Sequence, residues 1–401
     1  MKYIIILGDG MADESIPALG NQTPLQAAQT PWMDELARRG KSGILYTIPQ
    51  GMAPGSEVAN LSVLGYNPMQ VLEGRGSLEA ASMGVAIEPG ELALRCNLIC
   101  IENGKIKNHS AGHISTEEAG ILIQYLNERL SGNDVRFFPG VSYRHLLKMK
   151  NGDKHILCTP PHDVPGTAFE QVLIRPETHE AQATAGFLNT LIRRSQDILE
   201  NHPVNIRRKE EGKDPANSIW PWSPGYKPQM KTLAELYPIR SGAVISAVDL
   251  IKGIGVYAGL ERIDVPGATG LYDTNYEGKA QAALKALREK DFVYLHVEAS
   301  DEAGHEGNVA LKIQTIEDLD SRILKTLLEE TDRWEEPVTI ALLPDHPTPC
   351  RIKTHTANPV PFVIYKPGDT ADAVTQFDER TAQQGAYGEM KGDEFIKTLF
   401  Q

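Results

Sequence analysis

The chain has 401 residues, which is more than one ordinary domain or one large domain carrying an insertion. Its hydrophobic content of 41% and charged content of 23% are those of a soluble globular protein, and no apolar run is long enough to span a bilayer. The net charge of -13 argues against nucleic acid as a partner, and it means that any anionic substrate must meet locally concentrated cations, either metal ions or a few arginines.

The chain opens with "MKYIIILGDGMAD". Residues 2–7 are apolar on both faces of an extended chain, which predicts a buried strand of a parallel sheet. The start is too short for a signal peptide. The loop after it is not a nucleotide loop, because G-x-G-x-x-G needs a third glycine where Asp13 stands, and Asp9 would repel a pyrophosphate. Asp9 makes sense as a ligand for something cationic. "QTPWMDELARRG" predicts a helix with Thr30 at the N-cap, Pro31 at N1 and Gly40 as the stop. "SGILYTIP" predicts a second strand, and "SEVANLSVLGY" a short helix that begins at Ser56 and ends near Gly65.

After residue 65 the texture changes. "LALRCNLICIENGKIKNHS" predicts a hairpin turning at "ENGK", and "STEEAGILIQYLNERL" a helix with a capping box from Ser115 to Glu118. "VRFFPGVSYRHLLKMKNGDKHILC" predicts a further hairpin, around "NGD". From about residue 180 strands and helices alternate again: a helix over 181–201, "ANSIWPW", "GAVISAVDLIKGIGVYAGL", "NYEGKAQAALKALREK", "DFVYLHVEA", a helix around "NVALKIQTIEDLDSRILKTLLEE", "PVTIALLPDH" and "VPFVIYKPG". The pattern predicts an α/β fold with a doubly wound, mostly parallel sheet. Residues 1–65 and 179–401 are expected to form a metal-binding α/β domain, and 66–178 an inserted smaller α+β cap. Four cysteines without C-x-x-C spacing point to reduced thiols and a cytoplasmic protein.

In such sheets ligands gather at the carboxyl ends of strands. Asp9 follows the first strand. Asp301 and His305 follow "DFVYLHVEAS", Asp345 and His346 follow "PVTIALLP", and His355 lies in the next loop. Any one of these could cap a turn or sit in a plain loop. Three Asp and three His at strand ends, in a chain with 11 His, instead suit two Zn²⁺ or Mn²⁺ ions clamping the oxygens of a displacement at phosphorus. In "APGSEVANLSVLGY", Ser56 opens a helix. Its hydroxyl would meet free backbone N–H groups and the positive end of the helix dipole, and next to the metal ligands it predicts a phosphoserine intermediate.

With these residues assembled, the chain resembles the archaeal type of cofactor-independent phosphoglycerate mutase, in the alkaline phosphatase superfamily. The stretches that carry the resemblance are "GDGMAD", "TPLQAAQTPWMDELARRG", "PGSEVANLSVLGYNP", "GRGSLEAASMG", "GVSYRHLL", "TPPHDVPG", "DEAGHEGN" and "PDHPTPCRIKTHTANPVPF". The resemblance implies an alkaline-phosphatase-type sheet. It implies interconversion of 3-phosphoglycerate and 2-phosphoglycerate without bisphosphoglycerate, with Ser56 as the phosphorylated nucleophile. Asp9, Asp345 and His346 would share one metal with Ser56, and Asp301, His305 and His355 would hold the second; Mn²⁺ is expected, with Zn²⁺ or Mg²⁺ as alternatives. The cap would hold the carboxylate and phosphate of a small phosphorylated substrate. Arg144 in "SYRHLL", with His162 and Asp163 in "PPHDVPG", are the candidate contacts, and His113 is a candidate acid or base. The chain departs from the family at "NSIWPWSPG", with Trp222-Ser223, and at "AGHI", with His113. Both departures match a bacterial subgroup proposed as homoserine kinases. Transfer to homoserine or a similar small alcohol is therefore an alternative, as is a phosphomonoesterase of the same superfamily. The oligomeric state is not written in the sequence.

Overall fold

The computed structural model describes residues 1–132 and 134–401, and it divides into two compact units, Met1–Leu72 with Gln229–Gln401, and Glu73–Pro228. In chain order the strands are β1 (Lys2–Gly8), β2 (Lys41–Tyr46), β3 (Glu91–Glu102), β4 (Lys105–Asn108), β5 (Val135–Val141), β6 (Arg144–Lys150), β7 (Ile156–Leu157), β8 (Arg175–Pro176) and β9 (Ser218–Gly225). They continue with β10 (Gly242–Ile245), β11 (Glu261–Ile263), β12 (Phe292–Val297), β13 (Val338–Leu343), β14 (Val360–Tyr365) and β15 (Gly388–Lys391).

The first unit is built on an eight-stranded sheet in the order β11-β10-β12-β1-β13-β14-β2-β15. β1 pairs in parallel with β12 and β13, and β14 alone runs against its neighbours. This is the mostly parallel, doubly wound sheet that the sequence predicts. Every residue of β1, β12 and β13 is buried. Helices cover both faces, so period-2 alternation is lost and the strands read as continuous apolar runs. Ile4 and Ile6 pack in one core with Met33, Leu36, Leu284, Leu287, Ile323 and Leu327. From the other face Tyr3 meets the ring of Phe400, 4.9 Å away, on the last helix.

The helix Pro31–Arg39 starts at Thr30 and stops at Gly40 as expected, but the Thr30 side chain caps nothing. The carboxylate of Asp320 takes that place, accepting from Trp32 N at 3.1 Å and Met33 N at 2.7 Å. A long-range acceptor has replaced the local one.

The second unit is a five-stranded antiparallel sheet, β4-β3-β6-β5 with β9 on β3, and a two-stranded pair, β7 with β8. Asn103 and Gly104 both have positive φ in the β3–β4 turn, the geometry that "ENGK" suits. Three expectations are corrected here. The hairpin of β5 and β6 turns at Ser142-Tyr143, where Ser142 has φ 54°, and not at "NGD". The helix Thr116–Leu130 has half of the capping box: Ser115 Oγ accepts from Glu118 N, while the Glu118 carboxylate binds Arg207 and Arg208. The inserted unit runs to Pro228, past the expected 178. β9 hydrogen-bonds along β3, and the helix Gln182–Leu199 buries Leu188 and Ile192 against Ile219 and Trp220 in the core of that unit.

Candidate active site

All seven predicted metal-site residues belong to the first unit, and Asp9, Asp301, Asp345 and His346 follow its central strands β1, β12 and β13. Asp9 follows β1 directly, its N–H held by Val297 O at the end of β12. Asp301 lies in the first turn of the helix Ala299–Glu306 that follows β12, and His305 stands one turn later on the same face. Asp345 and His346 follow β13. Asp9, Asp345 and His346 are fully buried and Asp301 nearly so. Ser56 is the first residue of the helix Ser56–Val63, with Gly55 at the N-cap.

The donors converge. His346 Nε2 stands 3.5 Å from both Asp9 Oδ1 and Asp345 Oδ2, and 3.2 Å from Ser56 Oγ. His305 Nε2 is 3.1 Å from Asp301 Oδ2 and 3.0 Å from His355 Nε2, and His355 Nε2 is 3.5 Å from Asp301 Oδ1. Separations near 3 Å between lone-pair atoms are the edges of a polyhedron whose centre lies about 2.1 Å from each. Among the described residues, three donor sets have their ligand atoms within 4.8 Å of one another: Asp9–Asp345–His346, Asp301–His346–His355, and Asp9–His296–Glu298. His346, expected in the first group only, thus belongs to two of these sets, and in the second it takes the place expected for His305 beside Asp301 and His355.

Electrostatics favour cations here. Burial, then the charges of Asp345, Glu298 and Asp301, push the Asp9 carboxyl well above its ordinary range. Burial also raises Glu298, with Asp301 adding to it, to about 8. Asp301 is buried, yet hydrogen bonds from His305 and His355 hold it below the carboxylate range, and His305 rises to about 9 beside it. Asp9 Oδ1 and Glu298 Oε2 are buried with no hydrogen-bond partner. Crowded carboxylates with orphaned oxygens, beside clustered imidazoles, fit divalent ions.

Several residues of this centre escaped sequence reasoning. His296 Nε2 lies 3.0 Å from Asp9 Oδ2, with Ser246 Oγ on its Nδ1 at 3.2 Å. Asn60 donates to Asp345 Oδ2 at 2.9 Å and to Ser56 O at 2.8 Å, and takes a hydrogen bond from the Tyr294 hydroxyl. Lys312, fully buried, donates to Asp13 Oδ2 at 2.8 Å, Thr348 O at 2.9 Å and Ala12 O at 3.1 Å. A signal existed in two places: His296 and Glu298 share one side of an otherwise apolar strand end, and Asn60 sits four residues after Ser56 on the same helix face.

The predicted substrate contacts all lie in the second unit. Arg144 is exposed at the start of β6. The His113 ring lies 6.2 Å from that of Tyr143, which also meets His109 at 5.6 Å. His162 packs 5.9 Å from His109 and 5.5 Å from Trp222, whose ring carries the Arg95 guanidinium at 4.4 Å. Asp163 is exposed, 3.5 Å from His162. Arg144, His113 and His162 thus surround Tyr143 and Trp222, together with His109 and Arg95, which the sequence reading passed over. Trp222, one of the two departures, is buried and donates to Asn97 Oδ1 at 3.1 Å.

A family model described as 2,3-bisphosphoglycerate-independent phosphoglycerate mutase matches residues 37–205. A protein of that name from Methanosarcina acetivorans is 54% identical over 402 residues, covering 100% of this chain and 99% of its own. One of the same name from Methanosarcina mazei is 52% identical, with 100% of both chains covered. Among solved structures, a protein from Pyrococcus horikoshii superposes with a TM-score of 0.83 at 31% identity, over 99% of this chain and 96% of that one. A cofactor-independent phosphoglycerate mutase from Thermoplasma acidophilum superposes with a TM-score of 0.70 at 28% identity, over 100% and 99% of the two chains.

Proposed function

The chain belongs to the 2,3-bisphosphoglycerate-independent phosphoglycerate mutases, and from that premise we propose that it interconverts 3-phosphoglycerate and 2-phosphoglycerate through a phosphoserine at Ser56. Asp9, Ser56, Asp345 and His346 hold one divalent ion, and Asp301, His305 and His355 the other, with Mn²⁺ the native metal. When bound, the two ions supply positive charge to the attacking and leaving oxygens of the transfer.

The protein's own groups do the rest. Ser56 Oγ attacks phosphorus; the bond to O3 of the substrate breaks as the bond to Oγ forms, and the proton released at Ser56 balances the one taken up by the glycerate hydroxyl. The glycerate turns without leaving, and its 2-hydroxyl takes the phosphoryl group back, which restores the Ser56 hydroxyl. Asn60 steadies the nucleophile, because it bonds both the backbone carbonyl of Ser56 and the Asp345 carboxylate. Ser56 opens its helix, so the positive end of the helix dipole faces the phosphoryl group carried on it. In the inserted unit, Arg144, His162 and His113 are the contacts for the substrate carboxylate and phosphate, and Asp163 can accept from a glycerate hydroxyl. No helix among the described residues is long and apolar enough to cross a membrane, and a cytoplasmic site suits this metabolite chemistry.

The observation that carries the reading is the 3.2 Å approach of Ser56 Oγ to His346 Nε2 among buried carboxylates. The test is Ser56→Ala in Mn²⁺-loaded protein given 3-phosphoglycerate without bisphosphate activator. Loss of mutase turnover with metal content and melting temperature retained is expected. Wild-type turnover in that variant, or activity only with homoserine and ATP, defeats the proposal.

A further inference from the structure

We propose that Thr348 is the positioning residue that joins the two metal subsites, by fixing which nitrogen of His346 is bare and which way Asp301 points. This rests on the reading of His346 and Asp301 as metal ligands.

The argument is a count of protons. Thr348 Oγ1 donates its one hydrogen to Asp301 Oδ1. Its other polar neighbour is His346 Nδ1, at 3.3 Å. A hydroxyl has one proton to give and can accept with its lone pairs. With that proton committed to a carboxylate, which in its ionised form can only accept, Oγ1 is left to accept from Nδ1–H. The tautomer of His346 follows: Nδ1 carries the hydrogen, and Nε2 presents a bare lone pair. Nε2 is the atom that faces Ser56 Oγ, Asp9 Oδ1 and Asp345 Oδ2. One hydroxyl therefore orients the His346 imidazole and the Asp301 carboxylate at once.

The surroundings leave Thr348 no other arrangement. It is fully buried. Its N–H donates to Ala12 O at 3.2 Å and its carbonyl accepts from Lys312 Nζ at 2.9 Å. Gly10 has φ +59°, and a Cβ there would lie 2.6 Å from Thr348 Oγ1 and 2.5 Å from Asp301 Oδ1. A Cβ on Gly304 would strike the Thr348 carbonyl and come within 2.9 Å of its methyl. Two glycines, from the loop after β1 and the helix after β12, make room for this one side chain. A threonine is also stiff at χ1, so the hydroxyl is delivered in one direction.

Thr348→Val keeps the shape and removes the hydroxyl, and Thr348→Ser keeps the hydroxyl. Mn²⁺ affinity is measured by titration at a temperature where each protein is fully folded, with His346→Ala as the control. The His346 tautomer is read from its ¹⁵N shifts in metal-free protein. Thr348→Val is expected to weaken Mn²⁺ binding about tenfold to a hundredfold and to lose the Nδ1–H signature. Thr348→Ser is expected to restore both. Wild-type affinity and wild-type tautomer in Thr348→Val overturn the inference, as does a serine variant that behaves like the valine one. If Thr348→Val does not fold, Thr348→Ala against Thr348→Ser makes the same comparison. Unchanged Mn²⁺ binding in His346→Ala would instead defeat the assignment of the ligands themselves.

Discussion

The two units present their polar groups in opposite ways. In the first unit Asp9, Asp345 and His346 have no exposure at all, and behind them stand His296, Asn60, Thr348 and Lys312, themselves buried. In the second unit Arg144 and Asp163 are exposed, and the imidazoles of His113 and His162 rest on aromatic edges. Buried donors must be satisfied by each other or by an ion, so the first arrangement declares its chemistry without any ligand. The second declares an anion-friendly surface and leaves orientation to the substrate.

The largest effect that tests this contrast lies in the buried centre. Asp301→Asn or His346→Ala is expected to lower turnover on the order of 10⁴-fold or more, read in a coupled assay, while the melting temperature without metal changes little. Next is Lys312→Met, which strands the Asp13 carboxylate in the interior and is expected to destabilise the protein by about 3–5 kcal/mol in denaturant titrations. An effect below about 1 kcal/mol would mean that water reaches this pair and that the first unit is wetter than its burial indicates.

In the second unit the expected signature is different. Arg144→Ala should raise KM roughly tenfold and leave thermal stability within error, since an exposed guanidinium supports no core. A stability loss without a KM change would sharpen the contrast the wrong way and remove Arg144 from the substrate contacts. The smallest effect is at Glu118. Burial acts to raise its carboxyl, but Arg207 and Arg208 outweigh this and hold it below the usual glutamate value. A depressed folded-state pKa stabilises above the unfolded value, and that stability is lost as pH falls through the folded one. Glu118→Gln is therefore expected to cost about 1 kcal/mol at pH 7 and the gap to close below about pH 4, followed by urea melts across pH.

The candidate donors at the strand ends were legible because the strands that present them are. "KYIIILG", "FVYLHV" and "VTIALL" are unbroken apolar runs, and the residue after a parallel strand has a known place in space. Ser56 was legible from its turn and helix start. What stayed hidden depends on contacts distant in sequence. "SIWPWSPG" falls in the stretch where strands and helices alternate as in the first unit, yet it pairs with β3 more than a hundred residues earlier, so the inserted unit extends past 178. Thr30 satisfies every local rule for a cap and is displaced by Asp320. Thr348 sits in "HPTPC" with no periodicity around it, and only the neighbours brought in by β1 and β12 give it a role.

The sheet of the first unit is closed by chain from both ends, and that sets a timetable. β1 is central, yet its partners begin at Phe292 and Val338. While the ribosome works through the intervening residues, the first strand has no sheet to join, whereas Glu73–Pro228 already contains its own β3 core. Folding is expected to proceed from the insertion outward, with the earliest-made strand docking last and slowly, as long-range pairings do. A nascent chain therefore cannot bring Asp9 and Ser56 together with Asp301 and Asp345 until β12 and β13 have been made.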